Sequence, residues 1–290
     1  MRTTAIMLQP EPIGGRLDRD ELLAVARHER DALGRTVQYT PPERWLGASP
    51  CEGWRVKDVL AHLAASDVAA AALIGGEDAA EVDQYRKSLD GEPVIPDGWN
   101  GWSVGRRAGD APVALGLEWG RAADLLLARA AAATEEDWRD LEIAWVAGDI
   151  RLRYLVQARV AEWWVHGEDI REGAALPPRI EHRPVSLVND LAIRLIPYSL
   201  SLADLSFPGK VVRVSLEGVG GGTWVASTDA GPQTPEDSPS DAMIAGRGYA
   251  FASVAGGRAD ADVCLYEGLL NVGGDIELGE AVLRTLRSFP

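Results

Sequence analysis

Glu162 and His166 stand four residues apart in the run Glu162-Trp163-Trp164-Val165-His166. On a helix that spacing puts a carboxylate and an imidazole one turn apart on the same face, so both reach one ion from one side. The chain has four histidines, and a second one, His62, lies among Leu60, Ala61, Leu63 and Ala64, where an imidazolium would be poorly solvated. Two imidazoles and a carboxylate would make a mixed nitrogen–oxygen donor set. On residue types alone, a solvated Glu–His pair and a hydrogen-bonded core histidine stand as the alternatives.

Several neighbours share these faces. Asp58 and Ser66 flank His62 at four residues on either side and could orient its imidazole or a water. Asp67, five residues on, is turned roughly 140° around the helix and is less well placed. Arg159 and Asp169 bracket the Glu162–His166 pair, with capping or mutual pairing as the plain reading of Asp169. Cys51 precedes a helix start, where a thiol pKa can fall, but it reads as a small structural residue. Cys264 has no neighbouring partner in sequence, and a nucleophilic-cysteine enzyme is disfavoured. His28 and His182 lie in polar surroundings and take no role.

The formal net charge is -15. A phosphate-tracking surface needs clustered Lys and Arg, so nucleic acid is excluded as a partner, and so is docking on an anionic membrane. Lysine occurs only at Lys57, Lys87 and Lys210. Two cysteines so far apart suit a reducing compartment. Met1 to Gly15 lacks the apolar stretch of a secretory signal, and no run is long enough to span a bilayer. The expected location is cytoplasmic.

The elements that must position these residues are mostly helical. Residues 1–15 read as a loose tail. A helix is expected from Asp18 to about Thr36, stopped by Pro41 and Pro42. A second follows Trp54 and ends at Gly75-Gly76, and carries His62. Glu77 to Pro112, rich in Gly, Asp and Pro, reads as a lid or binding loop. There Trp99, Trp102, Arg106 and Arg107 are candidates for substrate binding, the arginines through carboxylates. A third helix spans about Val113 to Ala133, and a fourth, carrying Glu162 and His166, about Ile150 to Glu172. Four long helices imply an antiparallel bundle, an architecture that builds metal sites between facing helices.

After Pro178 the pattern changes to a smaller α+β module. A helix from Pro184 to Leu205 leads to a strand, Val211 to Leu216. Thr223 to Ala226 forms its hairpin partner, and short helices are expected at Arg247 to Ala255 and Glu277 to Leu286. The expected division is a bundle over 16–175 and a second domain over 180–290.

Two motifs carry a resemblance. The stretch Ser49-Pro50-Cys51-Glu52-Gly53-Trp54 followed by Val56-Lys57-Asp58-Val59-Leu60-Ala61-His62-Leu63 resembles the signature of the DinB-like bundle superfamily, and within it the mycothiol-dependent maleylpyruvate isomerase family. Arg159, Glu162, His166, Asp169 and Ile170 match that family's second motif. Gly257-Arg258 and Gly274-Asp275 are similar, more loosely, to a sterol-carrier-like C-terminal domain. The resemblance implies an α+β chain with a four-helix metal-binding bundle, and it implies His62, Glu162 and His166 as ligands to one divalent metal. Zn²⁺ suits that donor set, and Ni²⁺, Fe²⁺ or Mn²⁺ are tolerated by it. It further implies mycothiol as co-substrate, with a metal-bound thiolate attacking a small electrophile in thiol S-transfer or thiol-assisted isomerisation. Asp58 and Arg159 are then supporting residues near the ligands. Two other classes stand beside this reading. One is metal-assisted hydrolysis of a small amide or ester, with Asp58 as the base. The other is a non-catalytic metal-binding scaffold. A monomer or homodimer is expected.

Overall fold

A computed structural model describes residues 18–288 except 93, 94, 147, 231–233 and 236. The expected tail, 1–15, lies outside the described residues. The chain forms two compact units, one covering Arg19–Arg179 and the other beginning at Ile180. The fold class is α+β.

In the first unit four long helices form the bundle: α1 (Arg19–Tyr39), α2 (Val56–Ile74), α5 (Pro112–Ala132) and α7 (Leu152–Gly173). α2 packs against α5 and α7, and α1 packs against α7 and α5, which closes the ring. α2 and α7 are its interior members. α2 is buried without interruption from Val56 to Asp67, and the alanines along it let its neighbours approach. α7 is buried from Tyr154 to Gly167. Polar side chains on these two helices are therefore held out of water and must find partners within the protein.

The segment Glu77 to Pro112, expected as a loop, contains two helices, α3 (Ala80–Ser88) and α4 (Pro96–Arg106). Pro96 opens α4, where a missing N–H costs nothing. α4 packs on α2 and α3 on α4, so the segment is an added layer on the bundle. Between α5 and α7 lie α6 (Glu135–Asp140) and a hairpin of β1 (Glu142–Trp145) and β2 (Gly148–Arg151). Ile150, expected as the start of the fourth helix, belongs to that hairpin.

In the second unit the helix expected from Pro184 to Leu205 is two, α8 (His182–Arg194) and α9 (Ile196–Leu202), with Pro197 in the first turn of α9. Proline has no N–H for a continuing ladder, and the chain restarts there. β3 (Val211–Glu217) and β4 (Gly222–Ser227) form the expected hairpin, paired Val214 to Trp224. β5 (Ala242–Arg247) runs parallel to β3, and β6 (Leu270–Gly274) closes the sheet antiparallel to β5, in the order β4-β3-β5-β6. α10 (Gly248–Ala255), α11 (Ala261–Tyr266) and α12 (Ile276–Thr285) complete the unit. Its core joins Val212, Val214 and Ile244 of the sheet to Leu200, Phe251 and Val282 of the helices. Among the described residues no helix is long and apolar enough to cross a membrane.

Candidate metal centre between two buried helices

The turn before α2 is built by Ser49 and Trp54. Ser49 donates to the Trp54 carbonyl through its N–H at 3.0 Å and its hydroxyl at 2.9 Å. Gly53 takes the left-handed conformation, φ 76°, that closes the loop. The turn sets Trp54 against His62, with ring centroids 5.4 Å apart. It also sets Cys51 beside α7.

His62, Glu162 and His166, expected from separate segments, come together. Their ligand atoms all lie within 4.8 Å of one another, and all three residues are buried. His62 Nε2 is 3.1 Å from Glu162 Oε2, close to the edge of about 3.3 Å of a tetrahedron with metal bonds of about 2.0–2.1 Å. The two imidazoles meet edge-on, with centroids 5.0 Å apart. The donor set therefore fits a divalent cation such as Zn²⁺.

Electrostatics agree with that fit. Burial lowers the His62 pKa, against an opposite pull from Glu162, so the imidazole is neutral at physiological pH and has a lone pair to give. Its Nδ1 is buried with no hydrogen-bond partner among the described residues. Burial alone would raise Glu162. The Arg159 guanidinium, with Nη1 2.7 Å from Glu162 Oε2, and the His62 bond outweigh it and hold the carboxyl far below its usual range.

His166 Nδ1 is 2.8 Å from Asp169 Oδ2. A ligand histidine tied in this way by a carboxylate is fixed in tautomer and ring orientation. The Cys51 thiol donates to the same Asp169 oxygen at 3.2 Å and lies 3.8 Å from His166 Nδ1. The sequence reading of Cys51 as a small structural residue did not foresee this contact. Only its place before a helix N-terminus hinted at it.

Arg159 is fully buried and donates through Nε to Asp67 Oδ1 at 2.6 Å. Trp163 Nε1 donates to Asp67 Oδ2 at 2.7 Å. Asp67 thus stands behind Arg159, and the turn that carries it away from His62 carries it toward α7. Burial pulls its carboxyl up to about 6, against the lowering effect of Arg159. Asp58 is placed differently. Its carboxylate accepts the Arg55 N–H at 3.0 Å and two guanidinium bonds at 2.8 and 3.0 Å, which are the contacts of a helix N-terminal cap.

The four residues expected to bind substrate sit in the α3–α4 layer. Trp99 is buried and stacked on Trp102 at 5.6 Å, and the exposed Arg106 lies over Trp102 at 5.0 Å. Arg107 is buried and ion-paired to Glu81 at 2.9 Å and Glu118 at 2.7 Å, so it ties α3 to α5. Among the described residues, their hydrogen bonds, ion pairs and ring contacts lead to this layer and to α5.

With the fold and this geometry in place, comparison with known proteins defines the class. Residues 26–171 match the model of the mycothiol maleylpyruvate isomerase N-terminal domain, half of the chain, and the chain belongs to that family. Uncharacterized proteins of Mycobacterium tuberculosis strains CDC 1551 and H37Rv are 26% identical over 211 residues, covering 71% of this chain and 77% of theirs. The crystal structure of a mycothiol-dependent maleylpyruvate isomerase shares the fold at TM-score 0.57 and 18% identity, covering 84% of this chain and 90% of that one. A histidine-to-alanine mutant of that isomerase matches at TM-score 0.57 and 17% identity.

Proposed function

We propose that the chain is a metal-dependent enzyme that uses mycothiol and delivers its sulfur to a small electrophilic substrate, by S-transfer or by an isomerisation of the maleylpyruvate type. The observation that carries this reading is the convergence of His62, Glu162 and His166, from α2 and α7, within 4.8 Å. Among the described residues no fourth Cys or His joins His62, Glu162 and His166 within that distance, and three protein ligands match catalytic rather than structural zinc. A divalent ion held there supplies Lewis acidity that favours the thiolate over the thiol near neutral pH.

The chain's own residues do the rest. Neutral His62 carries one proton on two ring nitrogens, so Nε2 becomes a donor to a cation once that proton sits on Nδ1. Glu162 stays anionic because Arg159 faces it. Asp169 holds His166 in one ring orientation. The burial of α2 and α7 keeps bulk water from the donors, which strengthens every charge interaction among them. Family membership supports a thiol co-substrate and a small-molecule electrophile.

The test is to load the purified chain with Co²⁺, add mycothiol, and then offer maleylpyruvate or other electrophiles. The reading expects a thiol-dependent change in the cobalt absorption and turnover that requires the thiol. Isomerised maleylpyruvate with the thiol recovered marks the isomerase outcome, and consumption of the thiol marks transfer. Ester or amide turnover without thiol would replace the reading with hydrolysis, and indifference to metal would replace it with a scaffold.

A further inference from the structure

We propose that Asp67 is the positioning residue of the metal centre, acting through Arg159 to fix the orientation of Glu162 and to offset the guanidinium charge beside it. The proposal rests on the reading of His62, Glu162 and His166 as metal ligands.

Arg159 sits between two carboxylates. Its Nε is 2.6 Å from Asp67 Oδ1 and its Nη1 is 2.7 Å from Glu162 Oε2. A guanidinium is planar and rigid, so fixing it at Nε fixes where its other nitrogens point. Asp67 is fixed in turn, because Trp163 donates to its second oxygen at 2.7 Å. Asp67, Trp163 and Arg159 are all fully buried, which leaves the trio few alternative rotamers. The line Trp163–Asp67–Arg159–Glu162 therefore hands one geometry to the ligand oxygen that meets His62.

Charge points the same way. A lone guanidinium against Glu162 would cancel the ligand's charge and repel an incoming cation. Asp67 offsets Arg159, so Glu162 keeps its attraction for a metal ion. The second unit holds the same three residue types in a trio with no metal ligand in it. There Asp190 accepts from Arg194 Nε at 2.8 Å and from Trp224 Nε1 at 3.1 Å. That trio is an internal control, since its loss perturbs a core without touching the centre.

The experiment uses the full chain with Co²⁺ as the probe. Cobalt affinity is measured by competition with a chelator and the ligand-field absorption is recorded for wild type, Asp67→Asn and Asp190→Asn, each checked for folding by circular dichroism. Outer-shell changes of this kind weaken metal binding by about 10–100-fold. Asp67→Asn is expected to show that loss with an altered cobalt band, and Asp190→Asn to keep wild-type affinity and band despite lower stability. If Asp67→Asn does not fold, Trp163→Phe removes one of the bonds that fix Asp67 and is expected to show a smaller loss with the same direction of band change. A folded Asp67→Asn with wild-type affinity and band overturns the proposal, as does Trp163→Phe with both unchanged. A wild-type chain that binds no cobalt overturns the ligand reading itself, a result distinct from either.

Discussion

His166 is bonded through Nδ1 to Asp169 Oδ2 at 2.8 Å, and this contact decides which ring nitrogen remains for His62 and Glu162. A neutral imidazole that donates at Nδ1 has its lone pair at Nε2. Asp169 thereby sets the orientation of the His166 ring beside His62 and Glu162.

Replacing Asp169 with Ala frees the ring to rotate and to change tautomer. Metal affinity is expected to fall by about 10–100-fold, read by chelator competition, while the helical circular-dichroism signal is retained. Unchanged affinity would mean that the packing around His166, not this bond, sets its orientation.

Arg107 bridges two carboxylates in this fold. Its guanidinium is 5% exposed and spans Glu81 and Glu118, which are 27% and 35% exposed. Removing it leaves two half-buried carboxylates unpaired. Because solvent screens them in part, Arg107→Met is expected to cost about 1–2 kcal/mol in urea unfolding, with metal affinity unchanged. A variant of wild-type stability that loses turnover would point instead to a role in substrate recognition.

The two thiols are set in different surroundings. Cys51 is half-exposed and donates to Asp169. Cys264 is buried, and burial pushes its thiol pKa up, with Glu267 and Asp260 adding to the effect. A disulfide reagent applied to the native chain is expected to modify Cys51 first and Cys264 only on unfolding. Fast modification that survives Cys51→Ser would contradict this.

Acid should weaken the metal-free fold through His62. Its folded pKa lies below the ordinary value of 6.5, so below about pH 6.5 the unfolded chain binds more protons than the native one, and stability falls as pH drops. Asp67 works in the opposite direction between its ordinary value and about 6, since there the native state holds the extra proton. The His62 contribution is isolated by comparing wild type with His62→Gln between pH 5 and 7. The variant is expected to show the flatter loss of Tm on acidification, and equal slopes would contradict the shift.

Much of the centre was legible because its signals are local. The four-residue step from Glu162 to His166 and the apolar surroundings of His62 are properties of short segments, and the two motifs tie those segments together. Cys51 and Asp67 were not legible in the same way. Their partners, Asp169 and Arg159, lie 118 and 92 residues away, and only packing of α2 on α7 brings them together. Helix geometry turns Asp67 off the face of His62, but residue spacing does not show that Arg159 occupies the face it turns to. Among the elements, α4 was hidden by Gly98, Gly101 and Gly105, since glycine lowers helix propensity and packing on α2 overrides it. β5 and β6 were hidden because Ala-Met-Ile-Ala-Gly-Arg and Leu-Asn-Val-Gly-Gly lack an extended alternation and carry glycine, while pairing of β5 with β3 and of β6 with β5 supplies the missing stabilisation.

The measurement that tests the central claim most directly is the metal content of the purified chain after loading with Zn²⁺ and removal of excess, beside His62→Ala and Glu162→Gln. Three side chains sharing one cation predict one tightly held ion per wild-type chain and its loss from both variants with the fold retained. Equal metal content in all three proteins would contradict it.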